Sequence, residues 1–228
     1  MEVLQPVIEF LRTLIDFILH VDEHLTTIIR DYGGWTYAIL FLIIFVETGV
    51  VIMPLLPGDS LLFATGALAA RGDMQVLVLF VLLCVAAIAG DSLNYWIGSK
   101  VGEKAFDGRF RFLKREHLER THHFFDKYGG KTIVLARFIP IVRTYAPFVA
   151  GASKMDYARF LTFNVVGGVL WITIFLWAGY FFGNIPTVKE NFEYVVIIII
   201  LLSLAPALYE WYRHRREKRR LEAANESL

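Results

Sequence analysis

Two long apolar zones, residues 36–70 and 131–152, are each interrupted by proline. The interrupting residues are Pro54, Pro57 and Gly58 in the first zone and Pro140 and Pro147 in the second. Proline lacks the backbone N–H and clashes with the preceding turn, so we expect the helix to break at these positions. Broken backbone at membrane depth is tolerated only where protein or a water-filled cavity covers it. Both zones are therefore predicted to be re-entrant hairpins whose tips meet inside the protein.

The remaining apolar zones are predicted to be ordinary membrane spans. Hydrophobic residues make up 56% of the chain and the mean hydropathy is +0.52, values typical of a polytopic integral membrane protein. Residues 74–99, 157–183 and 193–212 are each close to the ~20 residues that a helix needs to cross a bilayer. We expect an all-α membrane protein in which each hairpin is followed by transmembrane helices.

Charge placement predicts the orientation of these segments. Residues 100–131 carry nine Lys and Arg against five acidic residues, and the tail at 213–228 is basic, so both are predicted to be cytoplasmic. Residues 1–35 carry two Arg against six acids, and we interpret them as an amphipathic segment at the outer interface. The hairpin at 36–70 would then enter from outside and that at 131–152 from the cytoplasm. The two hairpins are predicted to be inverted repeats that face each other.

Four charged residues lie inside the predicted hairpins, and they are the candidate functional residues. Arg137 and Arg143 lie six positions apart, and the earlier zone supplies Glu47 and Asp59. A guanidinium at membrane depth costs roughly 2.5 to 3.5 kcal/mol on insertion scales and cannot shed its proton, so its burial needs compensation. The backbone break at Pro140 would let both arginines converge on one pocket. There they could bind a phosphate headgroup, since the planar guanidinium suits phosphate oxygens.

Two roles are open for the acids. Glu47 and Asp59 could pair with the arginines in the empty site and release them when a phosphate binds. A carboxylate in an apolar setting can also take up a proton, and Glu47, with its apolar neighbours, is the better candidate for proton coupling. The alternative is a permanent set of buried salt bridges that only holds the hairpin tips together. The pairs Gly98-x-x-x-Gly102 and Gly179-x-x-x-Gly183 are explained by close helix packing.

The motifs resemble those of a known family of bacterial inner-membrane proteins. They are Arg137-Phe138-x-Pro140-x-x-Arg143-Thr144, Ala150-Gly151, Glu47 and Pro57-Gly58-Asp59-Ser60. Together they are similar to the DedA family, also called SNARE-associated or VTT-domain proteins. The resemblance implies two facing re-entrant hairpins and a role in envelope integrity, membrane potential and drug resistance. It also implies that the two acids and two arginines needed for function are the four residues above, with Pro57, Gly58, Asp91, Pro140 and Gly151 in supporting positions.

Some members of this family are assigned as flippases for undecaprenyl phosphate, the carrier lipid of wall precursors. We therefore expect a lipid-phosphate flippase or scramblase, with a membrane lipid as partner and no cofactor beyond a proton gradient. The alternative is a proton-dependent antiporter for small ions or drugs. A membrane phosphatase is disfavoured because every His lies outside the predicted hairpins, so we expect no catalytic residue and no metal site. No nucleic-acid partner is expected, and self-association into a homo-oligomer is left open.

Overall fold

The computed structural model describes residues 21–50, 58–102, 121, 125, 128–192, 194–199 and 201. This part of the chain is helical and contains no strand. The helices are α1 (Val21–Tyr32), α2 (Trp35–Gly49), α3 (Gly58–Ala70), α4 (Val76–Val101), α5 (Thr132–Ala136), α6 (Pro140–Ala152), α7 (Tyr157–Phe182) and α8 (Pro186–Glu190), with a 3-10 turn at Gly129–Lys131. The all-α prediction is confirmed for the described residues.

Helices α4 and α7 coincide with the spans predicted at 74–99 and 157–183. Each has 26 residues and is apolar enough to cross a membrane. The Asp156 side chain caps α7 by accepting a hydrogen bond from the backbone N–H of Arg159 at 2.9 Å. Of the third predicted span, at 193–212, residues 194–199 and 201 are described and are helical.

The exposed side of each long helix carries a stripe of aliphatic residues at helical spacing. The stripes consist of Leu77, Val81 and Val85 on α4 and of Val166, Leu170 and Ile174 on α7, all substantially exposed. Large aliphatic side chains repeated every four residues lie on one face of a helix. These faces suit contact with lipid chains.

The two broken zones each form a pair of short helices. The first gives α2 and α3, and the intervening residues 51–57, with Pro54 and Pro57, lie outside the described residues. The second gives α5 and α6, separated by residues 137–139. Pro140 is the first residue of α6, where its missing N–H would have had no intrahelical partner.

The predicted break at Pro147 is wrong, because α6 continues from Pro140 to Ala152 through that residue. An interior proline removes one i to i−4 hydrogen bond, here the bond to the carbonyl of Arg143. Membrane helices tolerate such a loss where neighbouring helices cover the backbone. Helix α6 is covered in this way by α4, and the residues around Pro147 are buried.

The two halves of the chain pack by interleaving. Helix α2 packs against α4 and α5 packs against α7, so the first arm of each broken zone contacts the long helix of its own half. The second arms cross over, because α3 packs against α7 and α6 packs against α4. The long helices α4 and α7 also contact each other. This equivalent packing of the two halves agrees with an internal repeat.

Glycines allow backbone-to-backbone contact at both crossed pairs. A Cβ atom at any of four glycines would overlap a carbonyl oxygen of the opposing helix: Gly66 with Leu176, Gly179 with Phe63, Gly98 with Phe148 and Gly151 with Tyr95. The explanation of the Gly-x-x-x-Gly pairs by helix packing is confirmed for Gly98 and Gly179, and for Gly183, which packs on Ala67. Gly102 instead ends α4 with a positive φ of 65°.

Gly151→Ala is expected to destabilise the protein by about 1 to 3 kcal/mol, the usual cost of overpacking. The added methyl group would overlap the Tyr95 carbonyl oxygen, and the contact between α6 and α4 would have to open. Thermal unfolding of the purified protein in detergent measures this effect. Gly34→Ala is the matched control, since no atom lies within 4 Å of its Cβ position. Equal melting temperatures for the two variants would contradict the close contact.

Candidate functional site

The candidate site lies where the ends of three short helices meet. Glu47 is in the last turn of α2, Asp59 in the first turn of α3 and Arg143 in the first turn of α6. The N-terminal ends of α3 and α6 lie here, and a helix N-terminus presents backbone N–H groups and the positive end of the helix dipole. Such ends attract anions, and Asp59 already occupies one of them.

Arg143 joins both acids of the first broken zone. Its Nη2 donates to Glu47 Oε1 at 2.8 Å, and its Nη1 donates to Asp59 Oδ1 at 3.2 Å. The exposed fractions of the three side chains are 9% for Arg143, 6% for Glu47 and 15% for Asp59. One guanidinium therefore holds a buried carboxylate, Glu47, and a partly buried one, Asp59, at the ends of two different helices.

Trp171, near the middle of α7, supports this arrangement. Its indole Nε1–H donates to Asp59 Oδ1 at 2.8 Å, the same oxygen that accepts from Arg143. The guanidinium carbon of Arg143 lies 4.1 Å from the centroid of the Trp171 ring, and that of Arg137 lies 5.9 Å from it. Both distances are within the range of cation–π attraction. Both arginines thus lie close to one fully buried indole.

Arg137 has different partners from those predicted. Its Nη2 donates to Asp91 Oδ2 on α4 and to Asn164 Oδ1 on α7, both at 2.6 Å. Gly167 and Gly168 leave room for the side chain, since a Cβ at either position would lie within 3.4 Å of an Arg137 atom. The prediction that Glu47 and Asp59 pair with both arginines is therefore wrong for Arg137. The acid that compensates Arg137 comes from a long helix instead of a hairpin tip.

Part of the Arg137 guanidinium is unpaired. Arg137 is 2% exposed, yet its Nε and Nη1 atoms find no hydrogen-bond partner among the described residues. Buried donors of a permanent charge are rarely left unsatisfied, and such atoms in a native structure point to a ligand or a water. These N–H groups are suited to an anion.

The cluster contains more carboxylates than guanidinium groups. Glu47, Asp59 and Asp91 face Arg137 and Arg143, so with all five groups ionised the cluster carries one net negative charge. An uncompensated charge in a buried site is costly, and uptake of one proton would remove it.

Asn94 connects the two broken zones through α4. Its Nδ2 donates to the backbone carbonyl of Thr144 at 2.9 Å and lies 3.4 Å from that of Thr48. Thr48 follows Glu47 on α2 and Thr144 follows Arg143 on α6. Helices α2 and α6, which carry the Glu47–Arg143 pair, are therefore both held by the Asn94 side chain of α4.

The structure brings Glu47, Asp59, Arg137 and Arg143 to one site, around Trp171. Asp91, expected in a supporting position, belongs to this cluster. Gly58 lies against the Glu47 carboxylate, where a Cβ would overlap it, whereas Gly151 packs on α4. Pro57 lies outside the described residues.

Sequence reasoning missed Asn164 and the place of Trp171. An Asn within the apolar α7 was a detectable signal, because an uncompensated amide is unfavourable inside a membrane helix. Trp171 gave no such signal, because tryptophans of membrane proteins commonly lie near an interface. It is instead fully buried, unlike Trp96, which is 57% exposed.

Comparison with known proteins gives the following matches. The VTT domain matches residues 56–181. Protein DedA of Escherichia coli K12 is 52% identical over 206 residues, covering 89% of this chain and 94% of that protein. An uncharacterized membrane protein of Mycobacterium leprae is 44% identical, covering 78% and 80%, and inner membrane protein YqjA of Escherichia coli K12 is 36% identical, covering 75% and 78%. No solved structure matches the chain.

Proposed function

This chain belongs to the DedA family of VTT-domain membrane proteins, and on that premise we propose that it moves a lipid phosphate, such as undecaprenyl phosphate, across the bacterial inner membrane. Relatives that are named inner membrane proteins support the location. The basic tail at 213–228 favours a cytoplasmic C-terminus.

The proposed topology includes two inverted re-entrant hairpins, formed by α2 with α3 and by α5 with α6. Helices α2, α3 and α6 have 15, 13 and 13 residues. At 1.5 Å per residue each is roughly 20 Å long, well short of the ~30 Å hydrocarbon core. Each arm would therefore reach the interior and turn back, which supports a site near the midplane as in other transporters with inverted repeats.

The observation that carries the proposal is the buried Arg143 held by Glu47 and Asp59 at the helix ends. A phosphate offers the same kind of oxygen acceptors as a carboxylate, so it could replace one or both acids on the guanidinium. The N-terminus of α6 and the unpaired N–H groups of Arg137 add further donors for the headgroup. Arg137 and Arg143 are the proposed phosphate ligands.

Proton coupling follows from the charge of the cluster. A phosphate would add negative charge to a site that already has one more carboxylate than guanidinium groups. Protonation of the acid that the phosphate displaces would offset the added negative charge. Glu47 is our candidate for the acid that takes up the proton, since it is held by Arg143 and lies against Gly58. Asp59 retains the indole N–H of Trp171 as a hydrogen-bond donor after Arg143 leaves.

The excess of carboxylates also supports a second candidate, a proton-dependent antiporter for small ions or drugs. In that case the acids would carry the protons and no lipid phosphate would be required. In neither case would the protein perform covalent chemistry, so the lipid phosphate is expected to remain intact.

Reconstituted vesicles test the proposal. With undecaprenyl phosphate in both leaflets, an added membrane-impermeant phosphatase should hydrolyse only the outer half in protein-free vesicles. With the wild-type protein it should reach nearly all of the lipid, since inner-leaflet molecules are carried outward. The matching cell experiment measures surface-exposed undecaprenyl phosphate in cells that lack the paralogues.

Variants of the two arginines connect the transfer to the site. Arg137→Ala and Arg143→Ala should both lose transfer at normal protein levels, and Arg159→Ala, which changes an exposed arginine, should retain it. Wild-type vesicles that leave half of the lipid protected, but dissipate an imposed proton gradient on addition of a cation, would reject the flippase and favour the antiporter.

A further inference from the structure

The two arginines of the site are held in different ways. We propose that Asp91 and Asn164 are positioning residues that keep Arg137 as a fixed cation, which leaves Arg143 as the cation that exchanges partners during transport. The inference rests on the proposed function for the identity of the cargo. It assigns a role to Asn164, and it separates the roles of the two arginines.

Arg137 is fixed by the two long helices. Its Nη2 donates to Asp91 on α4 and Asn164 on α7, each at 2.6 Å, and lies 3.4 Å from the Ala87 carbonyl of α4. Two partners use both hydrogens of this nitrogen. Since one partner is a carboxylate, the bond is charge-assisted and the arginine is neutralised in place.

Asn164 is itself oriented by α4. Its Nδ2 donates to the Ile88 carbonyl at 3.0 Å and lies 3.4 Å from Ser92 Oγ. The amide nitrogen therefore faces α4, which directs the amide oxygen toward Arg137. This arrangement fits only one orientation of the amide, because the reverse would place an N–H against a guanidinium N–H.

Among the described residues, the carboxylate partners of Arg143 both lie on the short arms. Glu47 is in α2 and Asp59 is in α3, and both flank residues 51–57 in sequence. Asp59 is also the most exposed member of the cluster, at 15% against 2% for Arg137 and 4% for Asp91. A headgroup that enters along the hairpin tips meets the Arg143 pairs first.

These two environments give the arginines separate tasks. Arg137 keeps Asp91 throughout and presents its unpaired Nε and Nη1 groups at a constant position. Arg143 releases a carboxylate when it takes a phosphate oxygen. A fixed donor and an exchanging donor, both close to Trp171, would recognise a headgroup without leaving a buried guanidinium uncompensated.

A swap of the two positioning residues tests the inference. Asp91→Asn removes the carboxylate from Arg137, and Asn164→Asp adds a second one. Each single variant should lower lipid-phosphate transfer about tenfold or more, the effect expected when a charge-assisted hydrogen bond is lost or distorted. The double variant D91N/N164D restores one carboxylate and one amide beside Arg137, although the new carboxylate cannot donate to the Ile88 carbonyl. Its transfer rate should therefore recover in part, to a level above that of both single variants.

A second readout does not depend on transport. Solid-state NMR of the reconstituted protein with ¹⁵N-labelled arginine should give an Arg137 side-chain signal, assigned by its absence in Arg137→Lys. This signal should shift in each single variant and return in the double variant. Ser99→Ala is the matched control on α4, because the Ser99 hydroxyl donates to the Trp96 carbonyl of its own helix and to no other group among the described residues.

The possible outcomes distinguish a failure of the inference about Arg137 from a failure of the proposed cargo. Recovery of both transfer and the Arg137 signal in the double variant supports the inference, even if the single variants fail to fold. A double variant that recovers neither overturns it. If the wild-type protein transfers no lipid phosphate but the signal recovers in the double variant, Arg137 is fixed as inferred and the proposed cargo is wrong.

Discussion

Arg143→Ala is expected to reduce lipid-phosphate transfer to the level of protein-free vesicles. The change removes the group that joins Glu47 to Asp59 and leaves the buried Glu47 and the partly buried Asp59 without their guanidinium partner. Breaking a buried ion pair by removing one partner costs about 3 to 5 kcal/mol. The variant should therefore also lose stability, and transfer has to be compared at equal amounts of folded protein.

A compensated variant separates stability from transport. Arg143→Ala combined with Glu47→Gln and Asp59→Asn removes the unpaired charges, so folding should recover while transfer stays absent. Replacement of a buried ion pair by neutral groups is often close to neutral for stability. Transfer at the wild-type rate in this triple variant would show that Arg143 serves only to hold the hairpin tips, as the salt-bridge alternative states.

Trp171→Ala is expected to give the second large effect, a loss of about 3 to 5 kcal/mol in the free energy of unfolding. Trp171 is fully buried, so the change leaves a cavity in the centre of the protein. It also removes the indole N–H from Asp59 and the aromatic face from beside Arg143. Transfer should fall as well, because both arginines lose the aromatic ring that lies close to them.

Thermal unfolding with a matched pair of variants measures this effect. Trp96→Ala removes the same side chain from an exposed position on α4 and should change the melting temperature little. Trp171→Phe keeps an aromatic ring but lacks the donor to Asp59, and it should fall between wild type and Trp171→Ala. A Trp171→Ala protein as stable as Trp96→Ala would contradict the packing around the site.

The helices and the Arg143 cluster could be predicted from the sequence because their signals are either local in the chain or follow from charge pairing. Proline interruptions and apolar length act locally, so they located α4, α7 and the divided zones 36–70 and 131–152. Buried opposite charges must find partners, which connected Glu47 and Asp59 to Arg143.

The partners of Arg137 could not be obtained in the same way. Several acids were available, and the choice of Asp91 depends on how α4 lies beside the break between α5 and α6. That relation is set by the Gly98 and Gly151 contacts, which involve residues far apart in the chain. The central position of Trp171 is likewise a result of how α7 packs against α3.

The interleaved packing also affects how the protein can be synthesised. Helix α3 leaves the ribosome long before α7, the helix with which it packs most extensively among the described elements. Until then Gly66 and the residues around it face lipid or another membrane protein, and Asp59 lacks both Arg143 and Trp171. The first half of the chain therefore lacks its final packing partners until the second half is synthesised. A chaperone or insertase that covers Asp59 would protect the first half during that interval.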